Sequence, residues 1–445
     1  MELWDLYDRE GKRTGETWER KPGNYEKIPE GRYHLVSDIL IRHKDGTYLL
    51  TKRHPGKDVY PGFWEASAGG SALAGEEPLQ AAKREMFEET GLVSDDFTLV
   101  NVSFREPSHS MFYSYLAVVD ADKDSVRLQE GETTEYRWVD KAGLLEYADS
   151  PEAMKNHNAR YRKIFDLFRT LYVTDLDGTL MRGDKSISEN SVATINRLIE
   201  MGMNFTVATA RSLYSVLQIV RPFHLEVPMI VRNGTALADP RRMEIMEKAL
   251  FTEAEKEKLK ELLKELPQCG FVSIWHGGEM EKRFWKGAHC EGIEKYLEDH
   301  ADGKGIVFAE DPGELFDGEA GYVTMIDRKE KLDPIFERIR EAGGWETVLQ
   351  KDAYGEEYWL EVCPENSTKA KAILALKKRL RCERVVVFGD SVNDIPMFRI
   401  ADEAYAVENA IPELKECATA VIGSNEEDGV AECLARTIEI PTGRI

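Results

Sequence analysis

The chain has 445 residues, 42% of them hydrophobic, with 59 Lys and Arg against 81 Asp and Glu and a formal net charge of -22. That length exceeds what one core usually organises, so two or three domains are expected, and the negative charge argues against nucleic acid as a partner. No uninterrupted apolar run reaches membrane-spanning length and the start, MELWDLYDREGK, is too charged for a secretory signal, so a soluble cytoplasmic protein with no membrane partner is expected. The six cysteines (Cys269, Cys290, Cys363, Cys382, Cys417 and Cys433) all fall in the second half without CxxC spacing, which points to neither a zinc site nor a disulfide framework.

Residues 33–53 hold two β-rich runs, YHLVSDILIR and TYLLTKR, on either side of an Asp45-Gly46 hairpin signal. Strand-like segments follow at 97–105, 111–119 and 135–139. One helix is predicted from Pro78 to Thr90. Another is predicted over about 151–168, where Met154, Tyr161, Ile164, Phe165 and Phe168 recur at helical spacing. The first helix carries Arg84, Glu85, Glu88 and Glu89, preceded by Gly70 and Glu76 and followed by Gly91. The spacing i, i+3, i+4 puts the carboxylates of Glu85, Glu88 and Glu89 on one helical face. Crowded there they repel, and a hard divalent cation offsets that repulsion; oxygen ligands of this kind suit magnesium or manganese. A solvated acidic face is the commoner meaning of such a pattern, but it leaves the bracketing glycines unexplained.

This segment resembles the signature of the Nudix hydrolase family, over about residues 1–168. The resemblance implies a Nudix α/β/α sandwich that cleaves a diphosphate linkage, with Glu85, Glu88 and Glu89 holding the metal, Glu88 and Glu89 counted as catalytic, and Arg84 orienting the carboxylates. Some relatives draw an extra carboxylate from a later loop, for which Glu132 and Glu135 are the local choices. The run PGFWEASAGG also looks like the branch near isopentenyl diphosphate isomerases. Those enzymes use a cysteine in this region and residues 1–168 contain none, which disfavours that alternative.

From Leu171 short apolar strands alternate with helices: LYVTDLDG, FTVATAR, PMIVRNG, and later RVVVFGD and EAYAV. This is the pattern of a doubly wound parallel sheet, with polar residues just after the strands where such folds bind ligands. The stretch 250–357, with helices expected at 253–266 and 333–342, reads as an inserted α/β cap between core segments 169–249 and 358–445. Asp175 and Asp177 can project to one side at a strand's end, so that one attacks and the other moves protons. An isolated pair would be read as a turn. Thr209 after a second strand, Lys369 at a helix start, and Asp390 with Asp394 after a third outweigh that reading.

These elements resemble the four motifs of the haloacid dehalogenase superfamily, more narrowly its Cof-like phosphatases, over about 171–445. Asn233-Gly234 and SNEEDGV strengthen the match. The resemblance implies Asp175 as a nucleophile forming an aspartyl phosphate and Asp177 as acid and then base, with Thr209 and Lys369 stabilising phosphoryl charge. It places Mg2+ (or Mn2+) on Asp175, Asp390 and the Asp177 carbonyl, with Asp394 as a ligand or as the carboxylate holding Lys369. Substrate contacts are expected from Thr209, Arg211, Asn233, Gly234, Lys369 and Asn393, while Ser391 fits a turn. In the cap, Trp275, Trp285, His276 and His289 are open to substrate contact, although packing is the commoner fate of such tryptophans. The chain then reads as a bifunctional hydrolase of small phosphorylated metabolites, whose halves act either in series, the first leaving the monophosphate class that the second consumes, or as two independent hydrolases on one chain. The alternative is a phosphatase regulated by a Nudix-like sensor.

Overall fold

The computed structural model describes residues 2–437 except 22, 58, 265–269, 277–278, 288, 300–304, 353–354 and 366, so Cys269 and the end of the helix expected over 253–266 lie outside the described residues. The chain divides into two compact units, which meet in sequence at Phe168 and Arg169.

The first unit is built on the long strand Tyr33–His43, whose side chains are nearly all buried. This strand pairs antiparallel with Leu3–Tyr7, Tyr48–Arg53 and Ala68–Ser71, and parallel with Ser110–Val119, in register from His34↔Ser110 to His43↔Val119. The result is a nine-stranded mixed sheet. The helix Pro78–Thr90 forms as expected: Pro78 opens it, Glu77 and Gln80 satisfy each other's backbone donors, and Gly91 at φ 70 ends it. Its inward residues Ala81, Ala82 and Met86 pack on Leu35, Ile39 and Met111 of the sheet. The helix expected over 151–168 is broken into Lys155–Arg160 and Arg162–Arg169. At the break stands Tyr161, 1% exposed, whose hydroxyl donates to the Tyr115 carbonyl at 3.3 Å.

Two histidines are buried in this unit. His34 stacks on Trp4 with ring centroids 4.1 Å apart, and His157 lies 3.7 Å from Asp38. Burial pulls both pKa values down to about 4. Each ring must stay neutral in the folded state, so the stability it contributes is complete above the ordinary histidine pKa and drains as pH falls through about 4. At about 1.4 kcal/mol per pKa unit this is at most roughly 3 kcal/mol per histidine. Denaturant unfolding is expected to show that loss on acidification, and His34→Phe to reduce its pH slope by one proton. An unchanged slope contradicts the assignment.

The second unit contains a five-stranded parallel sheet in the order Asn204–Val207, Thr170–Thr174, Arg384–Gly389, Glu403–Val407, Ala420–Ile422. Leu171, Val173, Val385 and Val387 are fully buried in it, which is why these strands read as continuous apolar runs. The strand Met229–Val231, expected in this sheet, pairs antiparallel with Ala236–Asp239 in a separate three-stranded sheet, and touches the parallel one through a bridge between Ala208 and Ile230. The cause is local: Arg232 and Asn233 take φ of 52 and 51 and reverse the chain.

A six-stranded sheet forms the inserted segment. The return to the core expected at 358 falls inside it, because Tyr358–Pro364 pairs with both Glu319–Asp327 and Trp345–Lys351. Leu360 and Val362, 0% exposed, belong to that sheet's core. Among the described residues no helix is long and apolar enough to cross a membrane.

Candidate active sites

Parallel pairing in register sets the first site. Thr174 lies opposite Phe388, so Asp175 and Asp390 emerge from neighbouring strands at the same end of the sheet. Asp394, in the turn Val392–Asp394, folds back and its Oδ2 accepts from the backbone N–H groups of Asp390 (3.0 Å) and Ser391 (3.1 Å). Lys369 begins the helix Lys369–Leu380 and donates to Asp175 Oδ1 at 2.5 Å and Asp394 Oδ1 at 2.7 Å. It is only 1% exposed, so this ion triad is out of water. Carboxylate oxygens of Asp175, Asp390 and Asp394 lie within 4.8 Å of one another.

The electrostatics follow from that crowding. Burial, then the neighbouring carboxylates, pushes Asp175 well above the usual carboxylate range, even against Lys369. Asp390 is pushed up to about 7 by burial and by Asp394, although Thr179 Oγ1 donates to it at 2.8 Å. Burial works against the Lys369 ammonium, but Asp175 and Asp394 outweigh it and hold its pKa above the ordinary lysine value. Gly178, at φ 78, leaves room for this arrangement: a Cβ there would lie 2.5 Å from Asp390 Oδ2.

Asp177 is held by Arg211, whose Nε and Nη2 donate to its two oxygens at 2.7 and 2.6 Å. Thr209, 1% exposed, accepts from the Arg211 backbone N–H at 3.1 Å. Asn233 is a bracket: its Nδ2 donates to Tyr322 Oη (3.0 Å) and Glu361 Oε2 (2.6 Å), while its Oδ1 accepts from Asn393 (3.1 Å). Both Nδ2 hydrogens of Asn233 are thus committed to cap residues, so donation from its amide to a substrate requires one of those bonds to break. Gly234 packs against the backbone of Thr368, just before Lys369. The SNEEDGV segment braces the loop after Asp177: Asn425 donates to the Met181 carbonyl at 2.9 Å, Glu426 accepts from the Gly183 N–H at 2.7 Å, and Asp428 pairs with Arg182 at 3.0 Å.

A cavity of about 480 Å³ opens over Asp175, Asp177, Arg211, Asp390 and Asn393. Its far wall is cap: Tyr296, Trp359, Lys282 and Lys295, with Arg232 beside them. Trp275, Trp285, His276 and His289 are not among its lining residues; Trp275 is buried in packing and the side chain of His289 is 78% exposed.

In the first unit Arg84 gathers the carboxylates. Its Nε and Nη2 hold Glu76 at 2.7 and 3.0 Å, and its Nη1 reaches Glu85 at 2.7 Å and Glu88 at 2.9 Å. Glu89 instead accepts from the Gly69 N–H at 3.1 Å. Gly70 is required by close approach: a Cβ there would meet the Glu85 carboxylate at 2.3–2.5 Å. Burial lifts Glu89 well above its ordinary pKa, with Glu65, Glu85 and Glu132 adding to the shift. Of the two later-loop glutamates, Glu132 pairs with Lys57 and adds to the Glu89 shift, whereas Glu135 pairs with Lys52 at 2.7 Å near the surface. Sequence reasoning missed Glu65, which is 7% exposed, paired with Arg53 at 3.2 Å, and pushed up to about 7 by burial. The signal was a glutamate set between Trp64 and Ala66 in an otherwise apolar run.

A doubly wound core with an aspartate cluster at its strand ends, and a mixed sheet carrying a glutamate-faced helix, define a two-domain hydrolase. The chain belongs to the haloacid dehalogenase-like hydrolases, whose family model matches residues 172–434, and to the Nudix family, whose domain model matches residues 32–168. An uncharacterized Nudix hydrolase of Listeria monocytogenes is 35% identical over 153 residues, 34% of this chain and 88% of its own. A 5-amino-6-(5-phospho-D-ribitylamino)uracil phosphatase of Bacillus subtilis is 26% identical over 281 residues, 58% of this chain and 94% of its own. A solved structure from Eubacterium rectale is 26% identical, covers 61% of this chain and 99% of its own, and superposes with a TM-score of 0.50.

Proposed function

We propose that the second unit hydrolyses a small phosphomonoester through an aspartyl phosphate and that the first cleaves a diphosphate linkage, each with magnesium, manganese being the other suitable ion. The observation that carries this reading is the buried set of Asp175, Asp390 and Asp394 around Lys369. Asp175 attacks phosphorus, Asp177 gives its proton to the leaving oxygen, and Asp177 then takes a proton from the water that attacks the aspartyl phosphate and restores Asp175. Lys369, Thr209 and Arg211 stabilise the charge on the transferring group. An incoming phosphate competes with Asp177 for Arg211, which frees Asp177 for proton transfer.

The donor set fits a hard cation, because it consists of carboxylate oxygens in a space that Gly178 keeps clear. Asp175, Asp390 and the Asp177 carbonyl would hold it, while Asp394, with both oxygens engaged, positions Lys369 and the loop. Bound there, the cation screens the phosphate from Asp175; unscreened, two like charges about 4 Å apart repel by roughly 4 kcal/mol at an effective dielectric near 20.

In the first unit Glu85, Glu88 and Glu89 would hold the metal, with Arg84 orienting the first two. The domain layout in this reading is 1–168 for the Nudix part, and a phosphatase core whose cap begins near 250 and extends to Pro364. The test is a screen of diphosphates and monophosphates with magnesium, including the substrate named for the Bacillus subtilis relative. Glu89→Gln is expected to lower diphosphate cleavage by at least the roughly 10- to 100-fold seen when a metal site loses an outer partner. Monoester hydrolysis should stay unaffected. Cleavage at wild-type rate and metal dependence would favour the sensor reading.

A further inference from the structure

Arg232 is used by none of the steps above. It follows the strand Met229–Val231, is 8% exposed, and lines the same cavity as Asp175 and Asp177. Its Nε is buried without a hydrogen-bond partner, and its guanidinium lies over the Tyr322 ring, 5.6 Å from the centroid. A buried guanidinium with an unmade hydrogen bond is costly unless another group supplies the acceptor. Glu361, the cap-sheet carboxylate on which its charge acts, accepts instead from Asn233 at 2.6 Å. The charge of Arg232 is felt at the cap groups Glu361, Tyr322 and Tyr296, of which Glu361 and Tyr296 line the cavity.

Two further facts bear on what the acceptor is. Lys282 and Lys295 line the same wall, Lys295 paired with Glu357 at 2.6 Å, so cations stand within reach of a ligand there. The Arg232 N–H donates to the Arg211 carbonyl at 3.0 Å, so the two arginines sit on adjoining loops. Arg211, bound to Asp177, serves the phosphoryl end. Arg232 is one station further out, and a guanidinium matches a carboxylate or phosphate better than a neutral carbonyl because it offers paired donors and a fixed charge.

We propose that Arg232 receives a second anionic group, a carboxylate or a second phosphate, carried on the leaving-group side of the phosphomonoester, so that this unit prefers doubly anionic small molecules to neutral polyol phosphates. This rests on the phosphatase reading above. Matched pairs test it with the full chain and magnesium: glycerol phosphate against phosphoglycerate, and fructose monophosphate against fructose bisphosphate. The wild-type protein is expected to favour the doubly anionic member by roughly tenfold or more in kcat/KM, the size of one charge-assisted hydrogen bond. Arg232→Gln should bring that ratio towards parity, mainly through KM, and Arg232→Lys should restore part of it. Equal losses on both members indicate a structural role and overturn the proposal, as does a wild-type preference for the neutral member. Hydrolysis of p-nitrophenyl phosphate, compared with Asp175→Asn, reports on the underlying reading. No turnover of any ester sinks both, whereas turnover with an unmoved ratio sinks this one alone.

Discussion

Asp175→Asn is expected to cut phosphomonoester hydrolysis by roughly 10⁴-fold or more, the scale seen when a nucleophile is removed from a working unit, while diphosphate cleavage stays at its wild-type rate. The amide is a poor nucleophile and cannot form the aspartyl phosphate. The change should be mild for the fold. Lys369 keeps Asp394 as a partner at 2.7 Å, and one charge leaves a cluster in which burial and repulsion already raise the Asp175 pKa. Stability is expected to move by no more than about 1 to 2 kcal/mol, the size of one net hydrogen bond. Phosphate release from a monoester measures the first effect and denaturant unfolding the second. With a diphosphate substrate from the screen, serial action of the two units requires this variant to accumulate a monophosphate that the intact enzyme converts to free phosphate. Monoester turnover at the wild-type rate in Asp175→Asn removes Asp175 from its role.

What could be read from the sequence was what is local in it. Glu85, Glu88 and Glu89 share a face because a helix has a fixed period, and the helix itself was announced by Pro78 and Gly91. Asp175, Asp390 and Lys369 were found because apolar strands and a helix start precede them. The ion pair of Arg211 with Asp177 joins residues 34 apart, and no pattern within either segment encodes it. The same holds for Arg232, which no motif marks and which only burial and the missing partner at Nε single out. Glu65 was overlooked because a single glutamate in a strand is usually a solvated one, and only packing shows that it is buried beside Glu89. The cap boundary was misplaced for a related reason: YWLEVC reads equally as a core strand or a cap strand, and its pairing with Glu319–Asp327 decides the matter. The region before residue 33 carries two strands that escaped notice, Leu3–Tyr7 and Arg13–Glu19, since charged and exposed positions interrupt the second.

Lys369→Met should be the most damaging single change to the second unit, for stability as well as chemistry. Methionine fills a similar volume, so the loss is electrostatic: Asp175 and Asp394, with side chains 7% and 0% exposed, are left buried without their cation. Removing one partner of a buried ion pair typically costs about 3–5 kcal/mol. The pH dependence has a definite sign. Without the lysine the buried Asp175 carboxylate, whose pKa burial already raises, binds its proton more tightly in the folded state than in the unfolded chain, so the variant should lose stability as pH rises and regain it on mild acidification. The buried histidines of the first unit respond in the opposite direction, and the two effects separate if unfolding is followed by a probe in each unit. Adding Asp394→Asn to Lys369→Met should recover part of the loss, because it removes one stranded charge, and the non-additivity measures the coupling of the triad. Magnesium should also stabilise the variant by mass action if the remaining carboxylates bind it. A destabilisation below about 1 kcal/mol, or one that does not vary with pH, would mean that Lys369 and its aspartates are solvated rather than buried, which would remove the electrostatic basis for the proposed chemistry at Asp175.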